Sequence, residues 1–466
     1  MKGKVLKSSA WYVISNFLVK GITILTIPIF TRIMNQNDIG AYSNITSWIN
    51  IFTIIMTFNL FNSVMLAKFD YEKEFNQYIS SNLFLGTLIT FVFYLIVLIF
   101  KDCFMNLLEI DFITLNLIFI YLLFYPSLQM LQIKNKVEYK YKLSSFLIIL
   151  TTLLSLGCSI IFVNCSKDML KGRIWGFYIP TIIISIIVYI FLIIKGKKIS
   201  PKYWKYSLAI SFPLVWHTLA NNLLASSDRI MISKLINNVD TAKYTIAYSC
   251  AMFVTVLSSS LNSAITPWIF ENIKTNNLEK IKIYVKKYVI FFFIIILCYM
   301  FVTPEILYFL GGESYKTAIN IVSPVIVGYI FQFIYTFYIS IETYYKKQKN
   351  IAIGTILAAL INIILNFIFI PKYGYIAAAY TTLIGYIVLF IIHCYSVNKM
   401  KKDFYDRKFF MFILIISLFM IGVFNFLYKY NGVRYFCIII IGVSILSIIK
   451  KKNIITEIKK MVKGEN

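Results

Sequence analysis

SFPLVWHTLANNLLASSDRIMISKLINNVDTAKYTIA, residues 211–247, decides how this sequence is read. Its length and apolar content suit a membrane span, yet it carries His217, Asn221, Asn222, Asp228, Arg229 and Lys234. Groups so costly in hydrocarbon mark a site or a pathway when they occur there. The stretch falls almost at the midpoint of 466 residues and divides the chain into two halves of similar length.

The rest of the composition agrees with a membrane setting. Hydrophobic residues make up 59% of the chain and charged ones 14%, with a mean hydropathy of +0.76, which places it among all-α polytopic membrane proteins. A net charge of +26 would suggest nucleic acid if it lay on one face of a soluble domain. Here Lys and Arg sit in short runs between apolar segments, as cytoplasmic loops do, so the charge is topology and no nucleic-acid partner is expected. The seven Cys include no CxxC pair and supply neither a metal site nor a disulfide framework. No GxxxxGK[ST] loop is present for a nucleotide, no cofactor is expected, and energy must come from gradients or the membrane potential.

At about 20 residues per span, fourteen spans fit: 10–31, 42–66, 80–100, 113–133, 143–163, 174–194, 207–236, 245–270, 288–310, 319–343, 351–370, 375–396, 409–428 and 435–449. With both termini cytoplasmic, inner segments carry 33 Lys and Arg against 10 in outer loops, a strong positive-inside asymmetry. The three left over are Lys20, Arg229 and Lys234. The N-terminus resembles the positive flank of a signal peptide, but Lys20 interrupts its apolar run and no cleavage site follows, so it is expected to stay as the first span. The tail 450–466 reads as an amphipathic helix on the inner leaflet.

Sliding the chain by 202 residues sets TRIMNQNDIGAYS (31–43) over SKLINNVDTAKYT (233–245), pairing Asn35 with Asn237, Asp38 with Asp240 and Tyr42 with Tyr244. Both segments close an odd-numbered span on the outer side. The match predicts parallel repeats: a six-helix bundle over 1–200, a second over 201–400, two added spans over 401–449, and the tail.

Three stretches together resemble the Wzx-type polysaccharide flippases: SSDRIMISKLINNVDTAKYTIAY, NFLVKGITILTIPIFTRIMNQNDIGAYS and NIILNFIFIPKYGYIAAAYTTL. These belong to the multidrug/oligosaccharidyl-lipid/polysaccharide (MOP) exporter superfamily, with the lipid II flippases and the MATE exporters. The resemblance implies a MATE-like fold of two six-helix bundles around a cavity that alternately faces each side. It also implies, as cargo, an undecaprenyl-pyrophosphate-linked oligosaccharide carried to the outer leaflet of a bacterial cytoplasmic membrane for capsule or O-antigen. Membrane lipids, a polysaccharide polymerase and a chain-length regulator are the implied partners. Lys243, where the first repeat has Ala41, and Ile376 depart from the pattern without touching the expected cavity.

On that reading the intramembrane polar groups are weighed one by one. Only about 11 apolar residues separate Lys20 from Arg32, roughly 16 Å of helix, so Lys20 must lie inside the first span. Asn16, Lys20 and Thr23 share one face; they line a cavity, or Lys20 pairs with a carboxylate structurally. Thr218, Asn222 and Arg229 form one stripe of the seventh span, and His217, Asn221 and Asp228 the next. Arg229, oriented by Asp228, would meet pyrophosphate bidentately, or the two lock helices together. Lys234 sits at the outer mouth, where it steers cargo or snorkels. Asn50, among the Ser and Thr of the second span, hydrogen-bonds sugar or glues helices. His217, Asp228 and Glu342 are the candidates for coupling to H⁺ or Na⁺.

Two other functions compete. An exporter of organic cations would need an acidic cavity, and the intramembrane charges are mainly cationic. A membrane polysaccharide polymerase would need a large outer loop or an acidic pair, and every outer loop is about a dozen residues or fewer, so no enzyme is expected.

Overall fold

The computed structural model describes residues 2–400 and 404–440, with the side chains of residues 2–10, 12–14 and 16 outside the described set. The amphipathic tail and most of the fourteenth span fall outside these residues, as does the side chain of Asn16.

The helices are α1 (Lys2–Ile33), α2 (Gln36–Thr57), α3 (Val64–Asp70), α4 (Phe75–Ile99), α5 (Lys101–Leu108), α6 (Phe112–Val137), α7 (Tyr141–Cys165) and α8 (Met169–Gly196). They continue as α9 (Pro201–Leu235), α10 (Asn238–Cys250), α11 (Met252–Lys274), α12 (Leu278–Gly311), α13 (Val322–Tyr344), α14 (Gln348–Tyr373), α15 (Tyr375–Asn398) and α16 (Arg407–Leu427). A shorter apolar helix, α17, opens at Asn431–Ile440. Eleven of the described segments are long and apolar enough to cross a membrane, and twelve if α2 and the bent Leu60–Asp70 segment count as one. α1 adds 32 residues, about 48 Å of helix. All seven Cys are free.

The sequence repeat is built into the helix starts. Asn35 caps α2 by accepting the Asp38 N–H at 2.8 Å, and Asn237 caps α10 by accepting the Asp240 N–H at 2.7 Å. In each case the Asn amide reaches back to the Asp carboxylate. The caps satisfy backbone donors that have no partner inside the helix, and they launch α2 and α10 with the same geometry. The two helices then meet: Ser43 Oγ lies 2.7 Å from Thr245 Oγ1, a contact between residues 202 apart. Gly40 permits this approach, because a Cβ there would overlap the Asn238 carbonyl oxygen.

The helices run on through Pro28, Pro126, Pro213 and Pro304. Pro324 is the third residue of α13, where no hydrogen bond is lost. The sharp bend comes elsewhere: Phe58 and Asn59 both adopt left-handed backbone (φ 47° and 48°), and the chain turns by 56°.

Buried apolar side chains form three clusters. Two lie in the first half, one around Phe119 and Tyr178 and one around Tyr78 and Leu128. The third runs through the second half around Phe292 and Phe333. The 35-residue α9 joins them. Tyr203, near its inner end, belongs to the first-half cluster with Tyr78, whereas Leu224 and Ile232 belong to the second-half cluster. Inner hydrogen bonds repeat the division: Ser207 to Ser63, Tyr203 to Glu74, Tyr206 to Asp70 and Trp204 to the Ser81 carbonyl.

Candidate functional site

Beside the contact between α2 and α10, a cavity of about 410 Å³ lies between α1, α2, α8, α9 and α10. Hydroxyl and amide groups line it: Thr46, Ser47 and Asn50 from α2, Ser226 from α9, Thr245 and Ser249 from α10. Two guanidinium groups face it, Arg229 from α9 and Arg173 from the first turns of α8.

Each arginine is held by aromatic rings. Arg173 lies 4.0 Å from the ring centres of both Phe30 and Tyr42. Arg229 lies 4.7 Å from Tyr248 and 5.8 Å from Tyr244, and its Nη1 donates to the Ala225 carbonyl at 2.8 Å. Tyr42 and Tyr244 are partners in the 202-residue repeat, so the halves offer matching tyrosines to cations from helices that are not equivalent. Stacking on a ring orients a guanidinium without neutralising it. Among the described residues neither arginine forms a salt bridge.

One end of the site, the outer one by the positive-inside rule, is shut. Thr31 Oγ1 donates to the Leu310 carbonyl at 2.6 Å, Arg32 to the Phe309 carbonyl at 3.3 Å, and Gln36 to the Ser314 carbonyl at 2.9 Å. Lys234 Nζ meets Glu109 at 2.7 Å and Asn238 Nδ2 meets the other carboxylate oxygen at 3.3 Å. Donation from Lys234 holds the Glu109 carboxyl below the usual carboxylate range. Among the described residues, the hydrogen bonds joining the halves lie in this outer group, at the Ser43–Thr245 contact, or on the first turns of α9. Towards the inner side Asn50, Asn221, Ser259 and Ser263 are exposed.

The structure redistributes the expected residues. Arg229 and Asn50 line the cavity. Lys20, half-exposed on α1, does not, and Thr23 Oγ1 spends its donor on the Val19 carbonyl at 2.9 Å. Asp228 does not orient Arg229. It is fully buried and accepts from Tyr244 at 2.5 Å, Asn366 at 2.6 Å and Thr382 at 2.6 Å, because the residue next to a cavity-facing one is turned about 100° around the helix from it. Asn362 and Thr381 extend the same oxygen-rich cluster. His217 Nε2 meets Asn221 at 3.1 Å, while His217 Nδ1 and Asn222 Oδ1 are buried without a partner among the described residues. Lys234 belongs to the outer seal. Glu342, completely buried, pairs at 2.6 Å with Nδ1 of an equally buried His393, away from the cavity.

Arg173 escaped the sequence reading because the charge count placed it in an outer loop. One signal was available. Asp168 caps α8 by accepting the Lys171 N–H at 2.9 Å, which starts the helix at Met169 and puts Arg173 inside it.

Comparison with solved structures defines the class first. The chain superposes on the lipid II flippase MurJ in its inward closed conformation with a TM-score of 0.68, at 19% identity, over 95% of this chain and 99% of that one. It superposes on an inward-facing MATE multidrug resistance transporter of the MOP superfamily with a TM-score of 0.58, at 14% identity, over 82% and 98%. The fold is therefore the MATE-like fold of that superfamily, in a multi-pass membrane protein.

The sequence profile described as "polysaccharide biosynthesis protein" matches residues 5–273, more than half of the chain, and the MatE profile matches residues 213–368. The chain belongs to the polysaccharide biosynthesis protein family. Among its relatives, the Lsg locus putative protein 1 of Haemophilus influenzae is 23% identical over 77% of this chain and 89% of its own length. An uncharacterized membrane protein of Methanocaldococcus jannaschii is 20% identical over 98% of this chain and 99% of its own.

Proposed function

We propose that the chain is a flippase that moves an undecaprenyl-pyrophosphate-linked oligosaccharide from the inner to the outer leaflet of a bacterial cytoplasmic membrane, for capsule or O-antigen assembly. The observation that carries this reading is the pair Arg173 and Arg229, two guanidiniums without carboxylate partners in a hydroxyl-lined cavity between the halves. Guanidinium forks match diphosphate oxygens bidentately, and Asn50, Ser47 and Ser249 offer hydrogen bonds to sugar. The polyprenyl tail stays in lipid throughout. Residues 1–200 and 201–400 act as the two rocking bodies, residues 401–449 as added spans, and the outer seal opens as the inner side closes.

With the cell interior negative, moving about two negative charges outward through ~100 mV releases roughly 4–5 kcal/mol. Asp228, buried among amide and hydroxyl oxygens, is the site of ion coupling, with Glu342 as the second candidate. A polymerase and a chain-length regulator receive the product. An exporter of organic cations is disfavoured by the same arginines, which repel a cationic cargo at close range.

The test is flipping of a fluorescent undecaprenyl-pyrophosphate oligosaccharide in proteoliposomes. Arg173→Ala and Arg229→Ala are each expected to cut the rate at least tenfold while Lys20→Ala does less. Full activity in both arginine variants, or efflux of organic cations by the wild type without glycolipid flipping, would overturn the proposal.

A further inference from the structure

The N-terminal ends of α12 and α16 enclose a separate cleft of about 500 Å³. Lys282 and Lys286 face it from α12, Arg407 and Lys408 from α16, against two carboxylates, Glu279 and Asp406. The excess is positive among the described residues. Asp406 is committed to the fold: one oxygen caps α16 by accepting the Phe409 N–H at 3.0 Å, and the other lies 3.7 Å from Lys286 Nζ. Lys286 also sits 4.9 Å above the Phe409 ring, which fixes its ammonium at the cleft. Arg407 and Lys408 are exposed.

The depth of the cleft is informative. Its residues occupy the first turns of two helices long and apolar enough to cross a membrane, at the ends that the positive-inside rule assigns to the inner-leaflet headgroups. From it two exposed apolar stripes run into the bilayer. On α12, Ile283 continues through Ile290 and Ile294 at i+7 and i+11; on α16, Lys408 continues through Phe412, Ile415 and Phe419 at i+4, i+7 and i+11. A soluble anion would use only the cations. An amphiphile with an anionic head uses both parts.

We infer that this cleft binds the headgroup of an anionic glycerophospholipid of the inner leaflet, with its acyl chains lying along the two stripes. The cations hold the phosphate and add to the attraction of an anionic leaflet for basic residues. The site lies outside the cargo cavity, so it stands whether or not the transport reading does.

Native mass spectrometry of the full chain in detergent tests it, with phosphatidylglycerol, phosphatidylethanolamine and inorganic phosphate as separate probes. The wild type is expected to retain one phosphatidylglycerol in preference to phosphatidylethanolamine. Lys286→Gln, and Arg407→Gln with Lys408→Gln, should each weaken retention about tenfold, with Lys349→Gln unaffected. Millimolar inorganic phosphate should not displace the lipid. Arg407 and Lys408 are exposed, so their double substitution decides the matter if Lys286→Gln fails to fold. Equal retention by that pair and the wild type would refute the inference. So would displacement by inorganic phosphate, or by undecaprenyl pyrophosphate, which would make the cleft a cargo dock.

Discussion

Asp228 and Arg229 are neighbours in sequence with different fates. Arg229 faces the cavity, and Asp228 faces away into Tyr244, Asn366 and Thr382. A carboxylate with three donors is a strong acceptor, and an amide in its place turns an N–H₂ towards groups that also donate. Asp228→Asn should therefore lose about 1–3 kcal/mol of stability, read as a lower melting temperature in detergent, and should abolish any response of flipping to an ion gradient. Glu342→Gln keeps an acceptor for His393, so its melting temperature should move less than that of Asp228→Asn. Gly40 acts by being small. Gly40→Ala places a methyl group on the Asn238 carbonyl and must separate α2 from α10 at the outer seal. The expected result is slower flipping, with a larger distance between spin labels at positions 36 and 314.

Among the elements, the outer seal and α9 carry the mechanics. α9 is fastened to the first half by Tyr203, Trp204, Tyr206 and Ser207, and to the second by Ser227 and Asp228. Between these regions lies the stretch with Pro213, His217 and Asn222, so any change in the angle between the halves must bend or unfasten this helix. At the seal, Glu109 joins the short segment after α5 to Lys234 and Asn238. Its carboxyl titrates below the usual range while the seal is closed. The sign follows from linkage: the seal gains stability from this pair above the ordinary carboxylate pKa and loses it as the outer pH falls through the lowered value. Acidifying the outer side should therefore widen the distance between labels at 36 and 314. Glu109→Gln should show the wider distribution already at neutral pH. The pair is exposed, so the effect should shrink at high salt.

For the whole molecule, the arrangement is closed at the end where Thr31, Gln36, Glu109 and Lys234 make their contacts, with polar side chains exposed towards the other end; in the proposed orientation this is an inward-facing state. A cargo bearing about two negative charges is then moved by the potential itself. Imposing ~100 mV, inside negative, on proteoliposomes should shift the steady-state outer-to-inner ratio of labelled glycolipid by up to about a thousandfold. The measurement is quenching of the outer pool after a potassium diffusion potential. A ratio insensitive to potential would mean that the cargo crosses as a neutral species or with co-transported cations.

The spans and the paired helix starts were legible in the sequence because each depends on local order. Apolar runs of spanning length must become helices in lipid, and Asn35, Asp38, Asn237 and Asp240 fix helix starts through bonds three residues apart. Helical periodicity put Arg229 on a polar stripe and Asn50 among the polar residues of the second span, but left open whether each faced a cavity or another helix. The remainder needed helices to be set against one another. Lys20 was marked by its depth, but depth does not say which neighbour a helix face meets. Arg173 looked like a loop cation until α8 carried it beside Phe30 and Tyr42. His393 was invisible as the partner of Glu342, because they lie on different helices 51 residues apart. Sequence determined which residues are costly to bury, and the tertiary structure decided which of them meet, since that depends on helix rotation and crossing over distances that no local pattern encodes.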